Sequence, residues 1–129
     1  MALDGRTDAP HLPRPAPIDA YGDGGFRFAG MSHRGSLLCF PDGIWAWPVG
    51  NITELSASAL QAAFDRAGSL DFFLVGAGRD PWVLPERLRE QFREVSLSVD
   101  SMPTGAAVRT YNILLAENRR VGAGLIAVT

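Results

Sequence analysis

The sequence predicts a three-layer α/β domain: a central mixed β-sheet with helices on both sides and a small additional β layer from N-terminal hairpins. Three observations predict it. Glycine-containing turns separate short apolar runs in the first third of the chain, strand and helix patterns alternate in the second half, and 129 residues suffice for one core. We find no recognisable catalytic apparatus.

Residues 1–17 are expected to form a disordered, proline-rich tail, which leaves residues 18–129 as a single domain. The segment contains Pro10, Pro13, Pro15 and Pro17 among small and charged residues. Proline lacks the amide donor that helices and ladders need, and the segment offers few apolar anchors. Docking of the tail as a strap is the alternative.

Two β-hairpins are predicted in the N-terminal third. They join residues 18–21 to 26–29 and residues 36–40 to 45–49. The first turn, residues 22–25, is rich in glycine, which adopts the positive φ angles of a tight reversal. The second turn, residues 41–43, combines a proline that presets φ with a glycine that can take the left-handed conformation. The pattern therefore favours antiparallel pairing.

The second half alternates between helix and strand patterns. We predict a helix from Ser56 to Gly68, followed by a buried strand at 70–75. A helix from Pro85 with Leu88, Phe92 and Val95 inward leads to a strand at 95–99. The last two elements are a helix from Thr104 to about residue 118, with Val108, Tyr111, Leu114 and Leu115 inward, and a strand at 121–128. Ser56 and Thr104 are interpreted as helix caps. Strand, helix and strand in succession indicate a βαβ unit with parallel strands.

Charge and cysteine usage exclude several classes of function. The formal net charge is −2, from 14 acidic and 12 basic residues, and every basic residue is arginine. Nucleic acid is therefore not an expected partner, because phosphate binding needs a positive surplus. Cys39 is the single cysteine, so no intrachain disulfide forms, and a reducing cytoplasmic compartment is expected. No apolar run approaches the roughly 20 residues of a membrane span, so no membrane insertion is expected.

The strongest candidate for a ligand site is the loop Gly76-Ala77-Gly78, which follows a buried strand. It is not a dinucleotide fingerprint, because Pro81 stands where that pattern needs glycine or alanine. The glycines could allow backbone amides to face a ligand, or they could be purely steric. We place a possible anion site between this loop and the helix start at Thr104, with Arg79 and Arg109 completing it. The alternative is that both arginines are solvated.

Other candidate chemistry is weaker. Cys39 and His33 could form a nucleophile and base, but six residues of extended chain would separate them by about 20 Å. Two well-separated histidines and one cysteine lack the spacing of a metal site, so no metal or cofactor is expected. Trp45 and Trp47 share one face of a strand and are interpreted as packing residues. Trp82 is either a plug or a docking anchor.

The C-terminal third carries a family resemblance. The string Thr110-Tyr111-Asn112 is followed by Glu117, Arg119 and Arg120 and preceded by Thr104 and the Gly76-Ala77-Gly78 loop. This arrangement resembles the MTH nine-three-eight-like domain family, over residues 18–128. The resemblance implies the same three-layer fold. It implies no catalytic residue, so the matched positions, Gly76, Gly78, Thr104, Tyr111, Asn112, Glu117 and Arg120, are a family signature.

The resemblance also implies a kind of function, because the family includes an assembly factor of mitochondrial respiratory complex I. Our first hypothesis is therefore a non-enzymatic interaction or assembly protein with an unidentified protein partner. The rival is a small-ligand or anion-binding domain, or an enzyme, with its site between the Gly76–Arg79 loop and the Thr104 helix start. A polar concavity would favour the rival, and an apolar patch would favour the first.

Overall fold

A computed structural model describes residues 9–129, which form two β-sheets and three α-helices. The strands are β1 (Ala20–Gly22), β2 (Gly25–Phe28), β3 (Met31–Arg34), β4 (Ser36–Phe40), β5 (Gly43–Trp47), β6 (Phe72–Gly76), β7 (Val99–Met102) and β8 (Val121–Leu125); the helices are α1 (Gln61–Asp65), α2 (Glu86–Glu94) and α3 (Thr104–Ala116). Short 3-10 turns lie at Ile52–Glu54, Ser58–Leu60 and Ala67–Ser69.

The central sheet is mixed and has the strand order β5-β4-β8-β6-β7. Strands β8, β6 and β7 are parallel, whereas β4 is antiparallel to both β5 and β8. Helices α1 and α2 pack on one face of this sheet. Helix α3 and the antiparallel sheet β1-β2-β3 pack on the other. The predicted three-layer fold and the βαβ unit, β6-α2-β7, are confirmed.

Glycines in the central strand β8 make room for aromatic side chains of the core. A Cβ atom at Gly122 would lie 3.0 Å from ring atoms of both Phe40 and Phe73. A Cβ atom at Gly124 would lie 2.6 Å from the Trp47 indole. Real Cβ atoms rarely approach other atoms to 3.0 Å and do not approach them to 2.6 Å, so larger residues at either position would displace the rings that fill this side of the core.

Both predicted hairpins are present, and the structure adds a strand that the sequence did not predict. Strand β3 pairs with β2 across a turn in which Ala29 and Gly30 have φ angles of 50° and 75°. Two successive positive φ angles are typical of a type I′ hairpin turn, usually formed by asparagine and glycine. Alanine at the first position hides the signal. Trp47 is buried and Trp45 half-buried against the same core, as predicted.

Several helix and strand boundaries differ from the prediction. The helix expected from Ser56 to Gly68 is reduced to two 3-10 turns and the five-residue α1. Val95 was expected in the core but is 36% exposed, because α2 ends before it and Ser96 takes a φ of 56°. The following strand therefore begins at Val99. Leu115 was expected in the core and is half-buried.

Residues 9–17, which belong to the predicted tail, are described by the structure and contact the domain. Leu12 pairs with Ile44 on the edge strand β5, accepting a hydrogen bond of 2.9 Å from its amide. Ala16 is buried. The prolines exclude a ladder, but Leu12 lies between two of them and keeps the backbone groups that one bridge needs. Residues 1–8 of the predicted tail lie outside the described residues.

Candidate functional site

The loop after β6 follows a buried strand, as the sequence predicted, and the structure places it where the parallel strands β6 and β8 both end. At this carboxyl edge α3 approaches the sheet closely. A Cβ atom at Gly76 would lie 3.1–3.2 Å from Leu125, Ala107 and the Cα atom of Thr104. The absence of a side chain at Gly76 therefore lets the helix pack against the strand end. This geometry supports the steric interpretation of that glycine.

Thr104 joins the loop to the end of β8 and does not cap its helix. It is fully buried, and its hydroxyl donates to the carbonyl of Ile126 at 2.7 Å and accepts the amide of Gly78 at 2.9 Å. Its own amide donates to the Gly78 carbonyl at 2.8 Å. Pro103 occupies the cap position without a side-chain hydrogen bond. The predicted capping role of Thr104 is wrong, because the neighbouring loop already binds its hydroxyl.

The amides of the loop are consequently committed within the protein. The Ala77 amide donates to Met102 and the Gly78 amide to Thr104. The predicted anion site needed these donors to face a ligand, and here they join the loop to β7 and α3. Any ligand at this edge would instead meet side chains, of which Arg79 carries the positive charge.

A cavity of about 330 Å³ lies at the same edge, and we call it the carboxyl-edge cavity. It is lined by residues 50–52, 77–82 and 126–129. Gly78 and Arg79 line it, and an Arg79 guanidinium nitrogen lies 3.4 Å from the Thr129 hydroxyl. Gly76, Thr104 and Arg109 are not part of its lining. The structure therefore separates Arg79 from Arg109, which is exposed on α3.

An exposed apolar side chain follows the cavity-lining residues 77–82 in the sequence. Trp82 is half-buried against the core, and its carbonyl accepts a hydrogen bond of 2.9 Å from the Ser101 hydroxyl. The next residue, Val83, is 80% exposed. Trp82 thus fixes the loop from inside, while Val83 projects an apolar side chain into water. Sequence reasoning singled out Trp82 but missed Val83, because one valine before a helix gives no signal of its own.

Two residues of the family signature hold the N-terminal segment on α3. The Tyr111 hydroxyl donates to the Ala16 carbonyl at 3.1 Å. The Asn112 side chain accepts from the Ile18 amide and donates to the Ile18 carbonyl, both at 2.9 Å. An amide side chain thereby satisfies both backbone groups of one residue, as a neighbouring strand would. These bonds give the two residues a structural role.

Arg120, a further signature residue, joins the starts of β6 and β8. Its amide and its guanidinium both donate to the Asp71 carboxylate, at 3.0 and 2.8 Å. These bonds hold the pKa of Asp71 below its usual range. Glu117 ends α3, where its amide bonds to the last turn of the helix. Neither residue lines the carboxyl-edge cavity.

Cys39 and His33 lie in different environments. Burial raises the pKa of the Cys39 thiol to about 12, and its hydrogen bond with the Tyr111 hydroxyl opposes this only in part. The His33 ring packs against His11 at a centroid distance of 4.8 Å and bonds to the Ser36 carbonyl. Burial and the neighbouring His11 lower the pKa of His33. Cys39 is therefore a protonated core residue rather than a nucleophile.

The described part of the chain offers little for metal or acid–base chemistry. Residues 9–129 contain no cluster of three metal-binding side chains, and every buried side-chain polar atom among them has a hydrogen-bond partner. Arg79 and Asp80 are the titratable side chains that line the carboxyl-edge cavity. Across the same residues, no helix is both long and apolar enough to span a membrane.

Comparison with known proteins identifies the family of this chain. Residues 18–126 match the model of a family described as a protein of unknown function, DUF498/DUF598. This chain belongs to the DUF498/DUF598 family. A solved structure labelled an outer membrane protein from Bartonella henselae is 46% identical and superposes with a TM-score of 0.88, over 92% of this chain and 100% of that one.

Other similar proteins carry labels that bear on family and function. A Bordetella pertussis protein labelled a Mth938-like domain is 28% identical, with a TM-score of 0.75 over 94% of this chain and 90% of that one. The label confirms the family resemblance found in the sequence. NADH dehydrogenase [ubiquinone] 1 alpha subcomplex assembly factor 3 of Drosophila melanogaster is 28% identical over 84% of this chain. The chain covers 57% of that protein's length.

Proposed function

We propose that this DUF498/DUF598 protein is a non-enzymatic, cytoplasmic protein-binding domain that assists the assembly of a respiratory complex. The observation that carries the proposal is the exposed apolar side chain of Val83, which directly follows the cavity-lining residue Trp82 in the sequence. Burying a valine side chain in an interface contributes about 1.5 to 3 kcal/mol. The name of the Drosophila relative supplies the kind of process.

The surroundings of Val83 support docking of a protein. Trp82 packs against the core, so the loop that presents Val83 is anchored and loses little conformational entropy on binding. Pro81 precedes Trp82 and further restricts the backbone of the loop. A rigid apolar anchor beside a shallow concavity is typical of an interface that accepts a side chain of the partner. We call residues 79–83 and the adjoining cavity the docking surface.

The experiment is a gene deletion in the native host, followed by native gel electrophoresis of membranes and measurement of their NADH oxidation. Loss of the assembled NADH dehydrogenase complex is expected, with recovery on expression of the wild type. Val83→Asp should restore assembly poorly. Ile113→Asp is the matched control, because Ile113 is also an exposed apolar residue, at 53%, but lies on α3 and not beside a cavity-lining residue in the sequence.

Two results would contradict parts of this proposal. Normal assembly in the deletion strain would refute the assembly function. Full recovery with Val83→Asp, equal to that with Ile113→Asp, would refute the docking surface. Both variants require a melting temperature close to that of the wild type, since an unfolded variant would restore nothing.

The volume of the carboxyl-edge cavity and the presence of Arg79 favour the small-anion alternative. Its test is titration of the purified protein with phosphate and with acetate, followed by calorimetry. Binding that Arg79→Ala abolishes, while Arg109→Ala leaves it intact, would support an anion site at this cavity. Equal heats for the wild type and Arg79→Ala would refute it.

A further inference from the structure

The small sheet presents a second surface with an unusual charge pattern. Phe26 and Phe28 point inward and are buried. The register of the three strands therefore places Ala20, Gly22, Arg27, Ser32 and Arg34 on the outward face, next to the buried Gly25. Three of these five outward residues are small, and both charged ones are arginine. We call this surface the arginine face.

Neither guanidinium of the arginine face has a charged partner among residues 9–129. Arg66, Arg93 and Arg120, by contrast, each form an ion pair with a carboxylate. Arg27 lies opposite Ser32, and Arg34 opposite Gly25, so the two arginines are diagonal neighbours. Diagonal positions lie about 7 to 8 Å apart, where like charges repel. A bound anion would offset this repulsion.

The arginine face adjoins a concavity of about 410 Å³, lined among others by Arg27, Ser32 and Arg34. Tyr21 forms part of the rim and is 46% exposed. Its ring lies against the start of α3, where a Cβ atom at Gly105 would come within 2.3 Å of the tyrosine oxygen. The rim is thus held by the domain core, and Asp23 is the single acidic residue in the lining.

This surface is continuous with the docking surface. The turn between β1 and β2 carries Gly24, whose amide donates to the Val128 carbonyl at 2.8 Å. Val128 lines the carboxyl-edge cavity, and the neighbouring Gly25 lines the concavity of the arginine face. One partner could therefore contact both surfaces without bridging a gap.

We infer that the arginine face binds an extended acidic segment of the partner protein, in which two carboxylates are separated by one residue. The inference rests on the proposed protein-binding function. Residues i and i+2 of an extended chain lie about 6.5 Å apart on the same side, which matches the diagonal spacing of Arg27 and Arg34. Guanidinium groups bind carboxylates through paired, charge-assisted hydrogen bonds. The small residues around them leave room for the backbone of the segment.

Fluorescence anisotropy with two labelled peptides tests the inference. One peptide carries two glutamates separated by one alanine, and the other has the same composition with four residues between the glutamates. The wild type should bind the first more tightly, and added salt should weaken binding. The double variant Arg27→Glu, Arg34→Glu should bind it at least about tenfold more weakly, because both attractive charges become repulsive.

The matched control is the double variant Arg87→Glu, Arg89→Glu, which makes the same change in net charge on α2, across the central sheet. It should bind the peptide nearly as well as the wild type. Equal weakening by both double variants would overturn the inference, since the effect would then be general. Equal binding of the two peptides would overturn the spacing argument, and tighter binding of pyrophosphate would indicate a site for free anions instead.

Two further measurements keep the result interpretable. The double variant Arg27→Gln, Arg34→Gln removes the charges without reversing them, and it should also weaken binding of the peptide. It replaces the glutamate variant in the test if that variant does not fold. In the deletion strain, failure of the glutamate variant to restore assembly would support the inference. Full recovery of assembly with the glutamate variant would overturn the inference about the arginine face. It would leave the assembly function intact, since only normal assembly in the deletion strain refutes that function.

Discussion

The bridge made by Thr104 gives the sharpest test of how the carboxyl edge is held together. Thr104→Val keeps the shape of the side chain but removes the hydroxyl, which leaves the Gly78 amide and the Ile126 carbonyl without their partner. An unsatisfied buried polar group costs about 1 to 3 kcal/mol. The two unsatisfied groups together predict a loss of about 2 to 6 kcal/mol in the free energy of unfolding.

The control is Thr104→Ser, which keeps both hydrogen bonds and loses one methyl group. Its expected cost is about 1 kcal/mol. Urea unfolding followed by circular dichroism compares the variants, and an unchanged m-value would show that the denatured state is unaffected. Faster hydrogen exchange of the Gly78 amide in the valine variant would locate the damage. Equal stability of the two variants would refute the bridging role.

Three further predictions concern groups that the site does not use. Asn112→Ala should speed proteolysis of the N-terminal segment, because it frees both backbone groups of Ile18. Cys39 should react with a thiol reagent only as fast as the protein unfolds, since burial raises its pKa to about 12. The free energy of unfolding should fall as the pH drops from about 7.5 to 5.5, because His33 binds a proton more weakly in the folded state than in the unfolded one.

Each of these has a control. Gln61→Ala, at an exposed position on α1, should leave proteolysis unchanged, and equal rates for both variants would contradict the role of Asn112 in holding Ile18. Rapid labelling of Cys39 at neutral pH, without unfolding, would contradict its burial. His33→Gln keeps a donor for the Ser36 carbonyl and should flatten the slope between pH 7.5 and 5.5. An unchanged slope in that variant would contradict the sign derived for His33.

Local signals in the sequence predicted the framework of the fold. Residues 22–25 and 41–43 are rich in glycine and proline, which favour tight turns over helix or strand, and both segments lie in the turns of the expected hairpins. Pro85 directly precedes α2 at the cap position, where its missing amide removes no hydrogen bond of the helix. These features depend on neighbouring residues alone, and for that reason they could be predicted from the sequence. Strand β3 was missed because its turn uses Ala29 instead of asparagine.

Long-range contacts explain what the sequence could not give. A threonine before a helical pattern most often caps it, and only the folded loop shows that Thr104 bonds to Gly78 instead. The docking of the N-terminal segment depends on Asn112, 94 residues away from Ile18. The loop at Gly76–Arg79 was correctly placed after a buried strand. Its cavity, however, draws on residues 50–52 and 126–129, whose convergence no local pattern reveals.

The position of β8 in the sheet has a consequence for biosynthesis. This strand is the last in the sequence, yet it lies between β4 and β6. Until residues 121–125 emerge from the ribosome, the hairpin β4-β5 and the unit β6-α2-β7 have no strand to join them, and the inward edges of both remain unpaired. Such edges are prone to associate with other chains. Folding of the central sheet must therefore wait for the synthesis of β8, and nascent chains truncated before Val121 should bind chaperones strongly.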